Sequence, residues 1–396
     1  MSTPLRIGVV GAGTMGSGIA QVVASAGHEV LLADASPGAV EKARGKIGEA
    51  LDRLVEKKKL ERSARDAILS RIRFREAPLL GDVSDYRDCD LVIEAVAENL
   101  KVKQELFARL DGCVAPNTTL ATNTSSLSIA SIASVCRKPE RVLGLHFFNP
   151  APVMPLVEVV PGLATDADVV ARALQLVASW DKLPVVASDT PGFIVNRIAR
   201  PFYGEALRIL DEGIADVATI DWAMRELGNF RMGPFELMDF IGNDVNYAVT
   251  RCVFEAFFYD PRYKPSLTQR RLVEAGFLGR KTGRGYYDYR DGATKPQPRA
   301  ERELGQRIFE RVLTMLLNEA IDALFLRVAS AHDIDLAMTK GVNYPKGLLA
   351  WADEVGPDWV LRAMTALQEE YGEDRYRPSP LLKRVVRSGT PVRLGD

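Results

Sequence analysis

A glycine-rich loop near the start of the chain constrains its fold more than any other sequence feature. Gly11, Gly13 and Gly16 have the spacing GxGxxG, directly after the apolar segment 7–10 and at the start of a helical pattern over 16–26. In this arrangement the first glycine allows a tight turn, the second lets backbone approach a pyrophosphate, and the third lets helix and strand pack closely. A lone GxGxxG is a weak signal, but its place between strand and helix predicts a dinucleotide site at a helix N-terminus.

Short apolar segments rich in β-formers alternate with helical patterns up to about residue 188. This alternation predicts an α/β, doubly wound Rossmann-type domain over 1–188, with a parallel sheet covered on both faces. From Thr190 onward the periodicity is helical, and we expect Thr190 to cap the first helix and Pro191 to occupy its first position. The predicted strands are 7–10, 30–33, 73–75, 91–94, 119–122, 142–145, 156–160 and 184–187.

The helical part contains an internal repeat at a separation of about 114 residues. Chance similarity between amphipathic helices is the alternative, but glycine, proline and aspartate recur in order, which favours a true duplication. We therefore expect an all-α region of two repeated domains, 189–290 and 301–396, joined by a linker at 291–298. The matching residues include Glu205 and Glu319, Gly233 and Gly347, Asp239 and Asp353, Gly242 and Gly356, and Ser266 and Ser379.

Composition narrows the classes of partner. The chain of 396 residues has 51 basic and 52 acidic side chains, so no net field attracts nucleic acid or an anionic membrane. No leader pattern and no run of about 18 apolar residues is present, so we expect a soluble, cytoplasmic protein. The four cysteines, at 89, 113, 136 and 252, are scattered and lack metal-ligand spacing, so neither a metal site nor a disulfide framework is expected.

Acidic residues follow two of the predicted strands at the edge where cofactors bind. Asp34 ends the second strand, at the distance where a carboxylate accepts hydrogen bonds from the adenosine ribose and repels a 2′-phosphate. This favours NAD over NADP, with a surface aspartate as the alternative. Glu94 and Glu98 follow the strand pattern at 91–93, at the carboxyl edge where ligands of such sheets bind. The alternative is a solvated helix start, in which Glu98 and Lys103 are ordinary residues.

One of the three histidines has an acidic partner within reach. Oxidation of an alcohol by NAD needs a base for the hydroxyl proton, and the ordinary pKa of histidine, about 6.5, suits that role. His146 ends an apolar strand pattern, and Glu158 on the next one is positioned to fix its tautomer. The alternative is a packed core histidine.

Two further polar residues are candidates for contacts with the reacting oxygens. Ser125 comes just after the strand pattern at 120–122, although a lone serine there is more often a helix cap. Asn196 lies near the start of the helical region, although spacing alone does not separate it from an ordinary polar helix residue. No nucleophile elbow or metal-ligand cluster competes for the site.

Taken in order, these motifs closely resemble the L-3-hydroxyacyl-CoA dehydrogenases. The resemblance covers about residues 5–290. It rests on the glycine loop with Asp34 and on the segments 92–100, 123–126, 146–150, 189–197, 232–237 and 281–287.

The resemblance implies a role for each matching residue. His146 is implied as the catalytic base, Glu158 as its orienting partner, and Ser125 and Asn196 as further active-site residues that contact the substrate. Lys57, in a basic run opposite the CoA phosphates, is implied as a CoA contact, whereas Ala50 replaces a serine that some members use. The implied NAD contacts are Gly11, Gly13, Thr14, Met15, Gly16, Asp34, Glu98, Lys103, Ser125, Asn149 and Lys281.

The implied activity is reversible, NAD-dependent oxidation of an L-3-hydroxyacyl-CoA, in fatty-acid or related acyl-CoA degradation. A dehydrogenase of free hydroxy acids or sugar acids is the alternative enzyme, and a noncatalytic NAD-binding relative, like a lens crystallin, is the alternative of another class. In shorter relatives the helical domain forms a homodimer, so two copies in one chain imply a monomer with an internal pseudo-dimer, or a homodimer. Neither the acyl chain length nor a carboxylate on the tail follows from the sequence.

Overall fold

The computed structural model describes residues 4–77 and 81–394. The chain divides into two compact units, Met1–Thr190 and Pro191–Asp396. Within the described ranges, no helix combines the length and the apolar character needed to cross a membrane.

The first unit is a sheet of eight strands with helices packed against it. The strands are β1 (Arg6–Val10), β2 (Glu29–Asp34), β3 (Ile72–Glu76), β4 (Leu91–Glu94), β5 (Thr119–Thr122), β6 (Val142–Phe147), β7 (Leu156–Pro161) and β8 (Leu183–Val186). The helices are α1 (Thr14–Ser25), α2 (Ala39–Glu56), α3 (Arg62–Ser70), α4 (Leu100–Cys113), α5 (Ile129–Ala133) and α6 (Ala167–Ser179). All eight predicted strands are present, and the predicted Rossmann-type class is confirmed.

The strand order is β3-β2-β1-β4-β5-β6-β7-β8. Neighbours from β3 to β6 are parallel, but β7 runs antiparallel to β6, and β8 is parallel to β7. The prediction of a parallel sheet is therefore wrong for this pair. The physical reason is the short connection between β6 and β7, since a parallel return needs a crossover of a dozen or more residues.

Alternate residues of the strands face opposite layers of helices. Val9, Ile93 and Val159 belong to a core shared with α1, α2, α3 and α6. The intervening positions face the other way, and a Cβ built on Gly144 would touch the side chain of Ile129 in α5. Because the sheet is covered on both faces, its central strands are apolar throughout rather than alternating.

The second unit is all-helical. It contains α7 (Val195–Ile198), α8 (Arg200–Asp211), α9 (Val217–Glu226), α10 (Pro234–Ile241), α11 (Asn243–Ala256), α12 (Leu267–Glu274), α13 (Arg302–Phe325), α14 (Ala331–Gly341), α15 (Leu348–Val355), α16 (Pro357–Tyr371) and α17 (Pro380–Ser388). The first helix begins at Val195, so the prediction of a Thr190 cap with Pro191 in the first turn is wrong. Gly192 and Phe193 have φ of 77° and 49°, a left-handed backbone that cannot start a right-handed helix.

The repeated residues make equivalent contacts in the two copies. Asp221 accepts the backbone N–H groups at the start of α10, from Phe235 and Glu236. Asp335 accepts the corresponding N–H groups at the start of α15, from Leu349 and Ala350. In each copy the preceding glycine, Gly233 or Gly347, has no room for a Cβ because the aspartate occupies that space. The repeated Asp and Gly are therefore a helix-capping device.

The two copies also exchange buried ion pairs. Arg197 of the first copy donates to Glu319 of the second at 2.7 Å, and Arg311 of the second donates to Glu205 of the first at 2.6 Å. Tyr263 and Tyr376 repeat this exchange, each donating to the other copy's glutamate at 2.6 Å. Reciprocal contacts of this kind define an isologous interface, here between two parts of one chain.

Candidate active site

The three glycines of the N-terminal loop differ in the space that the structure leaves for a Cβ. Gly11 has φ of 102°, and a Cβ there would lie 2.6 Å from the carbonyl oxygen of Ala95. A Cβ on Gly16 would overlap the carbonyl oxygen of Gly11. A Cβ on Gly13 would meet nothing within 4 Å. The fold thus requires the first and third glycines, whereas the open space at the second is what a closely approaching ligand needs.

The start of α1 is suited to hold the pyrophosphate of a dinucleotide. Gly13 is its N-cap and provides no side-chain cap, so Thr14, Met15 and Gly16 follow with backbone amides at the positive end of the helix dipole. Asp34 borders the same loop, where its carboxylate accepts Ala12 N–H at 2.6 Å and Ser36 N–H at 2.7 Å. Each carboxylate oxygen has a second lone pair for a ribose hydroxyl. The residues present therefore fit NAD.

A buried ionic network lies at the carboxyl ends of β4 and β5. Glu94, the last residue of β4, accepts from Lys103 Nζ and from Thr122 Oγ1, both at 2.6 Å. Lys103 is only 1% exposed, so the alternative of an ordinary solvated helix start is wrong for this lysine. Glu98 lies 3.3 Å from the same ammonium group. Lys103 thus places a buried positive charge between the carboxylates of Glu94 and Glu98 at this edge of the sheet.

Glu98 orders the loop that carries Ser125. Its Oε1 accepts Thr124 Oγ1 at 2.6 Å, Ser125 N–H at 3.1 Å and Ser126 Oγ at 3.1 Å. Burial by itself would raise the pKa of Glu98, but Lys103 and these hydrogen bonds outweigh it and hold the pKa below its usual range. Ser125 lies outside any helix, and α5 is capped by Ser128 instead. The alternative that Ser125 is a helix cap is therefore wrong.

His146 and Glu158 are directly opposite each other in the antiparallel pair of β6 and β7. His146 Nδ1 and Glu158 Oε2 are 2.6 Å apart, and the two residues are buried. Opposite residues of an antiparallel pair project from the same face, which places the carboxylate against the ring. Because a carboxylate accepts hydrogen bonds, this contact favours the tautomer in which Nδ1 carries the N–H and Nε2 carries the lone pair.

Asn123 is a residue of this site that the sequence did not single out. It follows the last residue of β5, and its Oδ1 accepts the backbone N–H of Phe147 at 2.9 Å. The contact ties the loop before Ser125 to the strand that carries His146. The available signal was a polar side chain directly after a buried strand, where the ligands of such sheets bind.

The other predicted site residues are more dispersed. Asn149 is exposed, two residues after β6, and Lys57 is exposed just after α2. Asn196 lies half-buried in α7, and Lys281 forms an ion pair with Asp244 at 2.6 Å, both within the second unit. The structure brings together the glycine loop with Asp34, the pair His146 and Glu158, and the Lys103 network with the Ser125 loop, each within the first unit. Among residues 4–77 and 81–394, no group of three or more His, Cys, Asp or Glu side chains is placed to hold a metal ion.

Comparison with known protein families identifies both units. The first matches the model described as 3-hydroxyacyl-CoA dehydrogenase, NAD binding domain, over residues 6–190. The second matches the model of 3-hydroxyacyl-CoA dehydrogenase, C-terminal domain, twice, over residues 192–289 and 308–394.

Similar proteins and structures carry related names. The 3-hydroxyadipyl-CoA dehydrogenase of Escherichia coli K12 is 41% identical, over 97% of this chain and 98% of that protein. The mitochondrial hydroxyacyl-coenzyme A dehydrogenase of Homo sapiens is 41% identical over 72% of this chain and 91% of that protein. The crystal structure of an E. coli 3-hydroxybutyryl-CoA dehydrogenase superposes with a TM-score of 0.90 at 39% identity, over 98% of this chain and all of that one.

Proposed function

The chain belongs to the 3-hydroxyacyl-CoA dehydrogenase family, and we propose that it uses His146 as acid and base in the reversible, NAD-dependent oxidation of an L-3-hydroxyacyl-CoA to the 3-oxoacyl-CoA. It is an NAD-dependent oxidoreductase of hydroxyacyl-CoA. The observation that carries the residue assignment is the buried contact between His146 Nδ1 and the Glu158 carboxylate at 2.6 Å.

His146 Nε2 takes the hydroxyl proton of the substrate in the oxidation direction and returns it in the reduction direction. Glu158 keeps the ring in the tautomer with Nδ1–H and stabilises the imidazolium that forms. NAD, when bound, accepts the hydride that leaves C3. Because the pair is buried, the attraction between imidazolium and carboxylate is weakly screened.

Ser125 and Asn196 supply hydrogen-bond donors to the reacting oxygens of the substrate. The backbone of Ser125 is fixed through its N–H bond to Glu98, which leaves the hydroxyl to donate. Asn196 precedes Arg197, whose buried ion pair with Glu319 anchors this part of α7. Donors fixed in this way hold the substrate in the geometry that hydride transfer requires.

The NAD site consists of Gly11, Gly13, Thr14, Met15, Gly16, Asp34, Glu98, Lys103, Ser125, Asn149 and Lys281. Asp34 favours NAD over NADP because its carboxylate would repel a 2′-phosphate. On the substrate side, Lys57 is exposed and contacts the CoA phosphates as a point charge. Ala50 lacks the hydroxyl that some relatives offer to CoA.

The second unit forms an internal pseudo-dimer, and the molecule is a monomer. The exchanged pairs of Arg197 with Glu319 and Arg311 with Glu205 support this assignment, as does the double match of one family model. We place the domains at 1–188, 189–290 and 301–396 and expect a cytoplasmic protein. Sedimentation at several protein concentrations tests the monomer, and a dimer that persists at nanomolar concentration would overturn it.

The activity is tested by following NADH absorbance when acetoacetyl-CoA is added to the purified protein. NADPH and free acetoacetate are the controls for the cofactor and for the CoA moiety. We expect oxidation of NADH with the thioester alone. A lack of oxidation with acetoacetyl-CoA and with longer and carboxylated 3-oxoacyl-CoAs, despite measured NADH binding, would overturn the proposed function.

A further inference from the structure

Lys182, in the turn between α6 and β8 of the first unit, is a buried cation without an ion-pair partner. Only 7% of the residue is exposed, and no ion pair within residues 4–77 and 81–394 includes it, whereas Lys103 and Arg141 each contact a carboxylate. Burial lowers the pKa of Lys182, and the charge of Asp181 opposes the shift from beyond ion-pair distance. Burying an ammonium group is costly, so its contacts with neutral groups need a reason.

The ammonium group of Lys182 binds the β6–β7 loop, residues 148–155. Nζ donates to the carbonyl oxygen of Ala151 at 2.6 Å and to the carbonyl oxygen of Met154 at 2.8 Å. The two carbonyls belong to one turn, in which the N–H groups of Val153 and Met154 both bond to the carbonyl oxygen of Pro150. Because one cation bridges two carbonyls of this turn, it fixes the position of the loop relative to the start of β8.

The same loop packs against α1, the helix that begins at the glycine loop. A Cβ built on Gly18 would lie 3.1 Å from the Cβ of Ala151 and 3.2 Å from the Cδ of Pro152. Glycine at this position of α1 therefore lets the β6–β7 loop approach the helix closely. The helix starts at Thr14, where the backbone amides suited to a pyrophosphate lie. The loop thus lies between the helix of the cofactor site and the ammonium group of Lys182.

The β6–β7 loop begins directly after the strand that carries His146. Asn149, assigned above to the NAD site, is the second residue after the end of β6 and lies outside any strand. The ring of Phe147, at the end of β6, stacks on Trp180 with the ring centres 6.3 Å apart. The turn that carries Lys182 therefore supports both the end of β6 and the loop. His146 is fixed by strand pairing, whereas the place of Asn149 depends on the loop.

We infer that Lys182 is a positioning residue for the cofactor, because it holds the β6–β7 loop against α1 and so keeps Asn149 in place to contact NAD. This inference rests on the proposed function, which assigns Asn149 to NAD. Without the ammonium group, the buried carbonyl of Ala151 loses its partner, and the loop must shift to hydrate it. The pairing of His146 with Glu158 does not depend on this contact. Loss of Lys182 should therefore affect cofactor affinity more than the chemical step.

The test measures NADH affinity by fluorescence titration, and kcat with saturating NADH and acetoacetyl-CoA, in the wild type, Lys182→Met, Asn149→Ala and the double variant. We expect Lys182→Met to weaken NADH binding by roughly 5- to 20-fold, the effect of losing one or two hydrogen bonds, while kcat falls by less than about threefold. In the Asn149→Ala background, Lys182→Met should weaken binding by less than about twofold further, because the two residues act as a unit. Lys182→Gln, a milder change, gives the same comparison if Lys182→Met does not fold.

Arg141→Met is the matched control. Arg141 is a buried cation of the first unit that also donates to a backbone carbonyl, that of Asp111 at 3.0 Å, but it directly precedes β6, whereas His146 lies near the other end of that strand. It should lower the melting temperature and leave NADH affinity unchanged.

Unchanged NADH affinity in a folded Lys182→Met, or equal losses of affinity with and without Asn149→Ala, would overturn the inference and make Lys182 a residue of stability only. Wild-type affinity in Asn149→Ala would overturn the assignment of Asn149 and the inference with it. Failure of the proposed activity is distinguishable from these outcomes, because the wild type would then bind NADH without oxidising it on acetoacetyl-CoA, and the binding comparison would still decide the role of Lys182.

Discussion

Glu158 faces His146 across the antiparallel junction of β6 and β7, with Glu158 Oε2 and His146 Nδ1 2.6 Å apart. The two residues are 12 positions apart in the chain, and the hairpin-like return of β7 places them in register. Because β7 reverses direction, a residue in the middle of one strand lies against the end of the preceding strand. The contact between His146 and Glu158 is therefore set by the register of two paired strands.

Replacing Glu158 by Gln should lower kcat by roughly 100-fold while leaving NADH affinity unchanged. Glutamine keeps a hydrogen-bonding group beside the ring but cannot stabilise an imidazolium or select its tautomer. Stopped-flow transients and NADH titration measure the two quantities. A variant with wild-type kcat would show that Glu158 only packs against His146.

Replacing His146 by Gln should reduce turnover by at least about 1,000-fold, since general acid and base catalysis contributes factors of that order. NADH binding should persist because the glycine loop and Asp34 do not depend on this ring. His332→Gln is the control, because His332 is exposed in the second unit. Comparable activity in the two variants would remove His146 from the catalytic role.

Two alanine substitutions in the glycine loop should separate cofactor binding from folding. Gly13 has φ of −65°, and a Cβ there meets nothing within 4 Å, so Gly13→Ala should weaken NADH binding by roughly tenfold or more at nearly unchanged stability. In Gly16→Ala the new Cβ would overlap the Gly11 carbonyl oxygen, and we expect a loss of roughly 1–3 kcal/mol. Calorimetric titration and thermal unfolding distinguish the two, and equal melting temperatures for both variants would contradict this account.

His28 should make the first unit less stable in mild acid. Its Nδ1 accepts the backbone N–H of Leu5 at 3.1 Å, and burial lowers the pKa of His28, although Asp90 opposes the shift. The unfolded chain then binds the proton more readily, so this contribution is complete above about pH 6.5 and is lost as the pH falls through the lowered pKa. The difference between the urea unfolding midpoints at about pH 8 and pH 5.5 should therefore be smaller in His28→Gln than in the wild type. An identical pH dependence in both proteins would exclude His28 as the cause.

The exchanged glutamates should contribute similarly to the stability of the second unit. Glu319→Gln removes one carboxylate from Arg197 and Arg262, which both still contact Asp322. Glu205→Gln removes the carboxylate partner of Arg208 and one of the two carboxylates at Arg311, which still contacts Glu212. Each should cost about 1–3 kcal/mol, less than the loss of a buried charge's sole partner, because a second carboxylate remains at Arg197, Arg262 and Arg311. Glu301→Gln, at an exposed pair with Arg299, should leave the unfolding midpoint unchanged. A much smaller loss for one glutamate would show that the two copies are not equivalent.

The sequence by itself determined the local elements and the repeat. The spacing of Gly11, Gly13 and Gly16 and the apolar strand segments have direct physical causes in backbone conformation and in two-sided burial, and those causes act over a few residues. The duplication was also readable from the sequence, because Asp221 and Gly233 recur as Asp335 and Gly347. In the structure both pairs form the same capping contact.

Only the tertiary structure decided strand direction and charge pairing. The reversal of β7 depends on the length and path of its connection, and that reversal sets Glu158 opposite His146. Glu319 lies 122 residues from Arg197, and Glu205 lies 106 residues from Arg311, so no local sequence pattern identifies these pairs. Residue type gives a side chain its charge, but the packing of distant segments determines which opposite charges come together.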